Sequence, residues 1–187
     1  MPHVPPRLVK ERAVLVVIDM QERFRELISG MPRVLGHCSR LIRFCQRLGV
    51  PILVTEHYPG GLGATLPELR RLFPDFHPLE KISFSCAGDA GFQAALQATK
   101  RDQVILCGIE SHVCVYQTAS DLLRAKMQVA VAGDAVSSRT DENRLFGLTR
   151  LRDLAVQVMS TEMIMFEILK VAKTSDFQAV ADILKEL

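Results

Sequence analysis

The chain has 187 residues, of which 48% are hydrophobic and 24% charged, and its formal net charge is +2. This length and composition predict a single globular domain over residues 1–187 that can bury a sizeable core. The small net charge gives no sign of a nucleic-acid-binding surface, and no apolar run is long enough to span a membrane. We therefore expect neither nucleic acid nor a membrane as a partner.

Five cysteines are scattered along the chain without a CxxC pair. An odd, irregular set is more typical of reduced thiols than of a disulfide framework. The first twelve residues carry charged side chains and lack the apolar segment of a signal peptide. Together these features predict a cytoplasmic protein.

The first half of the chain opens with a continuous apolar run over 13–18, which is typical of a strand buried on both faces. Apolar residues at helical spacing then predict a helix over 35–48, with Gly49 as its stop. A second strand is predicted over 51–55. The connection over 56–78 is rich in proline and glycine, and residues 66–73 within it are a candidate short helix.

The second half alternates strands and helices more regularly. A short strand over 79–82 precedes a helix over 89–99, a strand over 103–107 and a helix over 111–126. A strand over 128–132, a helix over 140–154 and a strand over 156–159 follow. Capping residues predict two last helices, which begin at Ser160 or Thr161 and at Ser175.

Strands separated by helices predict right-handed βαβ crossovers. The expected fold class is therefore α/β, a Rossmann-like three-layer α/β/α arrangement around a six-stranded, mostly parallel sheet. In such folds ligands bind beyond the carboxyl ends of the strands, at the point where the strand order reverses.

Three polar residues with complementary chemistry follow these predicted strand ends. Asp19 follows the first strand, Lys81 lies at or just past the end of the third, and Cys114 lies in the first turn of the helix after the fourth. A helix N-terminus stabilises a thiolate, and its free N–H groups can bind an oxyanion. If the first and fourth strands are neighbours, the carboxylate can accept the thiol proton while the lysine keeps the carboxylate charged.

Four motifs occur in order along the chain, namely Asp19-Met20-Gln21-x-x-Phe24, Lys81-x-x-Phe84-Ser85, Gly108-Ile109-Glu110-x-x-x-Cys114-Val115 and Asp134-Ala135-x-Ser137-Ser138. Together they resemble the isochorismatase-like cysteine hydrolases, which include nicotinamidases and N-carbamoylsarcosine amidohydrolases. The resemblance covers nearly the whole chain. The run over 55–63 resembles the subgroup called isochorismatase domain-containing proteins, whose substrates are poorly defined.

The resemblance implies a catalytic triad of Asp19, Lys81 and Cys114. It also implies a cis peptide between Ile109 and Glu110, with the backbone N–H groups of Glu110 and Cys114 as oxyanion donors. The implied activity is hydrolysis of a small amide or ureido compound through a thioester acyl-enzyme. Isochorismatase itself lacks the cysteine and cleaves a vinyl ether, so Cys114 favours an amidohydrolase acting on C–N bonds other than peptide bonds.

Further side chains are candidates for substrate binding, namely Phe24, Tyr58, Phe84 and His112. Aromatic residues at such places are as often part of the core, and a solvated position in the first helical turn explains the histidine equally well. The remaining thiols are expected to be buried and inert, namely Cys38, Cys45, Cys86 and Cys107. Asp134 is expected to be structural.

Nicotinamidases bind a metal through an aspartate and histidines in the loop after the second strand. Here that loop offers Glu56 and His57, with His77 further along, and it lacks an Asp-x-His pair. We therefore expect no metal and no other cofactor.

Two further expectations concern partners. A non-catalytic small-molecule-binding or scaffold protein on the same fold is the alternative to a hydrolase, and the residues do not identify the small-molecule substrate. The apolar segment over 163–171, with Phe166 and Ile168, predicts a buried subunit contact. We therefore expect a homo-oligomer, a dimer or larger.

Overall fold

The strands form a single parallel sheet in the computed structural model, which describes residues 6–186. They are β1 (Ala13–Ile18), β2 (Ile52–His57), β3 (Leu79–Lys81), β4 (Gln103–Ile109), β5 (Gln128–Ser137) and β6 (Gln157–Met159). Their order is β3-β2-β1-β4-β5-β6, and every neighbouring pair is parallel. The predicted α/β fold class is confirmed. The expectation that no signal peptide is present falls partly on residues 1–5, which lie outside the described residues.

Helices cover both faces of this sheet. They are α1 (Met31–Leu48), α2 (Pro59–Leu62), α3 (Pro67–Arg70), α4 (Ala90–Thr99), α5 (Tyr116–Arg124), α6 (Asp141–Asp153), α7 (Thr161–Leu169), α8 (Ser175–Ala179) and α9 (Ala181–Leu184). Short 3-10 turns occupy Glu22–Phe24 and Cys86–Gly88, and a π-helical turn, Ser111–Val115, leads into α5. None of the described helices is long and apolar enough to cross a membrane.

The core is divided into two apolar clusters by the sheet. In β1, Leu15 and Val17 belong to the cluster under α1 and α7, whereas Val14 and Val16 belong to the cluster under α4, α5 and α6. Successive side chains of a strand point to opposite faces, so a strand buried on both faces must be apolar at every position. This is the reason for the uninterrupted run over 13–18.

Several element boundaries differ from those predicted. Helix α1 begins at Met31, four positions early, because the left-handed Gly30 ends the preceding turn and a proline occupies the first helical turn. Strand β5 continues past the predicted end at 132 because Val136 and Ser137 pair with β4 beyond a register shift. The predicted terminal helix is split into α8 and α9.

The strand order reverses at β1, which pairs with β2 on one side and β4 on the other. Its last residue, Ile18, lies opposite both Thr55 and Gly108. Gly108 has φ +109°, and a Cβ atom there would lie 2.1 Å from the carbonyl oxygen of Ile18. Only glycine permits this approach. The carboxyl ends of β1, β2 and β4 therefore meet at one place, where the fold class predicts a ligand site.

Candidate active site

Asp19 follows β1 directly and is buried in a left-handed backbone conformation, with φ 52°. Its Oδ2 atom accepts a hydrogen bond of 2.7 Å from Nζ of Lys81. Its Oδ1 atom accepts a hydrogen bond of 2.7 Å from Oγ1 of Thr55. Both oxygens of the carboxylate therefore have a donor, and a different element of the sheet supplies each one.

Lys81 is the last residue of β3, and only 1% of its side chain is exposed. Besides Asp19, its Nζ donates to the carbonyl oxygens of Ser83 and Phe84, both at 3.2 Å. Burial acts to lower the pKa of Lys81, but the charge of Asp19, the two nearby thiols of Cys86 and Cys114 and the hydrogen bond to Asp19 together raise it above its ordinary value. The ammonium is therefore charged at neutral pH.

Cys114 lies in the π-helical turn after β4 and is 7% exposed. Burial raises the pKa of its thiol well above the ordinary value, the charge of Asp19 raises it further, and Lys81 lowers it only in part. The thiol therefore keeps its proton at neutral pH. To react as a thiolate it requires a proton acceptor. Asp19 is the carboxylate whose negative charge acts on this thiol.

The peptide between Ile109 and Glu110 is cis, as the resemblance implies. The side chain of Glu110 is turned toward Arg139, whose backbone N–H and Nε donate to Oε2 at 2.9 and 3.2 Å. The carbonyl oxygen of Glu110 accepts the N–H groups of Val113 and Val115. Glu110 thus anchors the turn through its side chain and its carbonyl. The oxyanion role of the N–H groups of Glu110 and Cys114 stays a prediction.

The four predicted substrate-binding residues occupy different settings. Phe84 and Tyr58 are 53% and 56% exposed, and the ring of Phe84 lies 5.4 Å from that of His57. Phe24 packs, partly buried, against the apolar cluster under α1. His112 is held by its Nδ1 atom, which lies 2.9 Å from Oγ of Ser138. Contact of these four with a substrate stays a prediction.

Gln21 is a buried residue to which the sequence assigned no role. Its Nε2 atom donates to the carbonyl oxygens of His57 and Gly63 at 3.0 and 2.7 Å, and its Oε1 accepts the N–H of His57 at 2.8 Å. Gln21 therefore fastens the loop after β2 to the turn after β1. The position of Gln21 in the motif that begins at Asp19 is the feature of the sequence that could have indicated this role.

The loop in which nicotinamidases bind a metal is internally bonded here. Oε1 of Glu56 accepts hydrogen bonds of 2.7 Å from both the N–H and the hydroxyl of Thr65. His77 is exposed and pairs with Asp75. Within residues 6–186 no group of three or more His, Cys, Asp or Glu side chains could hold a metal ion. The expectation of no metal stays a prediction.

The expected burial of the four other cysteines is confirmed, whereas their inertness and a structural role for Asp134 stay predictions. Asp134 accepts hydrogen bonds from the N–H and hydroxyl of Thr161, at the start of α7, at 2.8–3.0 Å. The four cysteines other than Cys114 are free and buried. Cys86, however, does not lie in a remote part of the core, because its Sγ atom is 3.8 Å from Oγ1 of Thr55.

The model of the isochorismatase domain family matches residues 13–163 of the chain. Isochorismatase domain-containing protein 2 of Danio rerio is 39% identical over 178 residues, which cover 95% of this chain and 89% of that protein. A structure described as the MAR1 ribonuclease from Caenorhabditis elegans is 32% identical, with a TM-score of 0.90 over 96% of this chain and 93% of that one.

A more distant structure, the YcaC gene product from Escherichia coli, is described as an octameric hydrolase of unknown specificity. It is 22% identical with a TM-score of 0.89 over 98% of this chain and 90% of that one, which shows a common fold. The family match and the 39% identical relative each extend over most of the chain. The chain therefore belongs to the isochorismatase domain family.

Proposed function

We propose that this protein is a cysteine-dependent hydrolase of a small amide or ureido compound, an amidohydrolase acting on C–N bonds other than peptide bonds. Family membership supports a hydrolase-type function. The observation that carries the finer proposal is the buried ion pair of Asp19 and Lys81, 2.7 Å long, at the strand ends that border Cys114. A buried pair of this kind is costly, and active sites are where such pairs concentrate.

In the proposed reaction Asp19 takes the thiol proton while the sulfur of Cys114 forms a bond to the substrate carbonyl carbon. The negative charge that develops on the carbonyl oxygen is received by the backbone N–H groups of Glu110 and Cys114. The C–N bond then breaks, and Asp19 returns its proton to the leaving nitrogen. Water then attacks the thioester carbon while Asp19 accepts a proton from that water. The C–S bond breaks to release the acid, and Asp19 returns its proton to the sulfur of Cys114, which restores the thiol.

Lys81 acts on this cycle through charge. Its Nζ holds Oδ2 of Asp19 in place, and it is the cation that opposes the rise in the pKa of the Cys114 thiol. Phe84, Tyr58 and His112 are proposed to contact the substrate, because the first two are exposed aromatic rings and the third is held in one orientation by Ser138. Phe24, which is partly buried against the apolar cluster under α1, is also proposed to line the substrate pocket.

The experiment is a panel of primary amides, ureido acids and, for comparison, a vinyl ether of the isochorismate type, followed by release of ammonia and of acid. We expect ammonia from at least one amide or ureido compound and no turnover of the vinyl ether. Cys114→Ala should abolish turnover with the fold retained. Cys45→Ala, which removes a thiol on the buried face of α1, is the matched control and should retain turnover.

Three outcomes contradict the proposal. Turnover by Cys114→Ala removes the covalent step, and cleavage of the vinyl ether places the reaction at a C–O bond. A folded wild-type protein that turns over none of the compounds favours the non-catalytic binding or scaffold protein. A short RNA belongs in the panel because the 32% identical structure is described as a ribonuclease.

We also propose that the protein is a cytoplasmic homo-oligomer that uses no cofactor. The surface that supports oligomerisation is on and beyond α7, where Met163, Phe166 and Val171 are 56%, 45% and 63% exposed. Ile168, expected in the same contact, is only 6% exposed because it packs in the chain's own core. That part of the expectation was wrong.

A further inference from the structure

Thr55 holds Asp19 at two points. Its carbonyl oxygen accepts the backbone N–H of Asp19 at 3.2 Å, and its Oγ1 donates to Oδ1 of the carboxylate at 2.7 Å. Thr55 itself is fully buried in β2, opposite Ile18 of β1. The hydrogen bonds of the sheet therefore fix the backbones of both residues, and the Thr55 hydroxyl reaches the carboxylate without any movement of either segment.

The Thr55 hydroxyl has a second neighbour in Cys86, whose Sγ atom lies 3.8 Å from Oγ1. A hydroxyl has one hydrogen, and here it is given to the carboxylate, so Cys86 must be the donor in this contact. Burial raises the pKa of the Cys86 thiol to about 11, which keeps it protonated at neutral pH. The backbone N–H of Cys86 donates to Oγ1 of Thr118 at 2.8 Å. Thr118 lies in α5, four residues after Cys114. The backbone of Cys86 is therefore bonded to the helix into which the turn of Cys114 leads.

We propose that Thr55, supported by the thiol of Cys86, is a positioning residue that sets the orientation of the Asp19 carboxylate for proton transfer with Cys114. This inference rests on the proposed function, in which Asp19 is the proton acceptor. The donors run in one direction, from Cys86 to Thr55 to Asp19, and Lys81 closes the arrangement on the other oxygen.

Two donors on different oxygens prevent the carboxylate from rotating, whereas a single lysine would leave it free to turn about the ion pair. A carboxylate has about four lone-pair sites. Thr55 and Lys81 each fill one, so the sites that remain have fixed directions. Proton transfer between Asp19 and Cys114 depends on that direction as well as on basicity.

The test is the rate at which iodoacetamide modifies Cys114, measured by peptide mass spectrometry from acidic to alkaline pH. In the wild type the rate should rise along an acid limb, as the group that accepts the thiol proton becomes deprotonated, and then reach a plateau. Thr55→Val keeps the side-chain size but removes the donor, so the carboxylate can turn away from Cys114 and the plateau rate should fall severalfold. Thr55→Ser should restore the plateau, and Cys86→Ala should lower it less than Thr55→Val does.

Among residues 6–186, the titratable groups that face Asp19 are Lys81 from β3, Cys114 from the π-helical turn, Cys86 from its 3-10 turn and His57 from β2. Of these His57 can itself titrate in the acid range, because burial and Lys81 lower its pKa. If the acid limb belongs to Asp19 instead, His57→Gln should leave it in place. A limb that disappears in this variant belongs to the histidine and overturns the assignment to Asp19.

Asp19→Asn distinguishes a failure of the proposed function from a failure of the positioning role. An acid limb that persists in Asp19→Asn contradicts the proposed function, because Asp19 is then not the acceptor. An acid limb that is lost in Asp19→Asn, together with a plateau rate that is unchanged in folded Thr55→Val, leaves the proposed function intact and overturns the positioning role. Thr99→Val, which removes a hydroxyl at the end of α4, is the control for loss of any threonine hydroxyl and should change nothing.

Discussion

The charges around Cys114 determine how readily its thiol ionises. Burial and the carboxylate of Asp19 both raise the pKa of the thiol, and Lys81 is the cation that lowers it. The same carboxylate raises the pKa of Lys81. The arrangement therefore favours a resting state in which the thiol is neutral and the ion pair is intact, so that a proton must move before the sulfur can react.

Replacement of Lys81 by methionine tests this balance. Lys81→Met removes the charge that lowers the pKa of the Cys114 thiol, so that pKa should rise and alkylation at neutral pH should slow. It also leaves a buried carboxylate without its cation, which costs about 3–5 kcal/mol of unfolding free energy. Alkylation rates against pH and urea unfolding measure the two effects. Lys100→Met, at the exposed end of α4, is the matched control and should change neither.

The double variant of Lys81→Met and Asp19→Asn tests whether the two residues act as one unit. Groups that act as one unit are not additive, so turnover by the double variant should be barely lower than that by the more damaging single variant. Its stability should partly recover, because no unpaired buried charge is left. An alkylation profile of Lys81→Met that matches the wild type would exclude Lys81 from the mechanism.

The candidate triad was predictable from sequence because each member lies next to a strand end, and strand ends are visible as the limits of apolar runs. Thr55 and Cys86 could not be predicted in the same way. The role of Thr55 depends on its pairing opposite Ile18, a register set by contacts between distant segments. Cys86 is in an apolar pattern that suits an inert core thiol equally well.

Among the elements, the π-helical turn that carries Cys114 is held from outside by α6. A Cβ atom on Gly147 of α6 would lie 2.8–2.9 Å from backbone atoms of Ser111 and His112. This distance leaves no room for a methyl group, because backbone on both sides would have to shift. The glycine therefore sets how closely α6 approaches the turn.

Gly147→Ala should destabilise the protein although alanine is the better helix former. Overpacking costs about 1–3 kcal/mol, which exceeds the gain of up to about 1 kcal/mol from helix propensity. The displaced turn should also slow alkylation of Cys114. Gly36→Ala in α1 is the matched control, since its new methyl group would meet only the end of the Arg40 side chain at 3.8 Å. Urea unfolding should show the control equal to or more stable than the wild type, and equal behaviour of both variants would contradict the packing argument.

The order and type of the main elements followed from the sequence, but several boundaries did not. Strand β5 was predicted to end at 132, since Gly133 and Asp134 are ordinary turn residues. It continues because the pairing with β4 shifts register and resumes at Val136. The π-helical turn was predicted as ordinary helix, because its sequence pattern differs little from that of the first turn of an α-helix.

At the scale of the whole molecule, the site depends on segments far apart in the sequence. Asp19, Thr55, Lys81 and Cys114 come from β1, β2, β3 and the turn after β4, which are adjacent in the sheet order β3-β2-β1-β4. Each connection between them is long, and only a parallel sheet places all four carboxyl ends at one edge. The fold class was therefore the part of the prediction on which the candidate site depended.

The exposed apolar surface on and beyond α7 leads to the last prediction. Met163, Phe166 and Val171 are each at least 45% exposed, and the proposed oligomer would bury them against another copy of the chain. Phe166→Glu would put a charge into that contact, so the oligomer should dissociate with an association constant lower by roughly thirtyfold, or about 2 kcal/mol. Light scattering coupled to size-exclusion chromatography measures the mass at a series of concentrations. Phe146→Glu, at a ring of α6 that is 63% exposed, is the matched control and should leave the mass unchanged. A wild-type protein that stays monomeric at every concentration, or a mass that responds to Phe146→Glu and not to Phe166→Glu, would show that this surface is not the subunit contact.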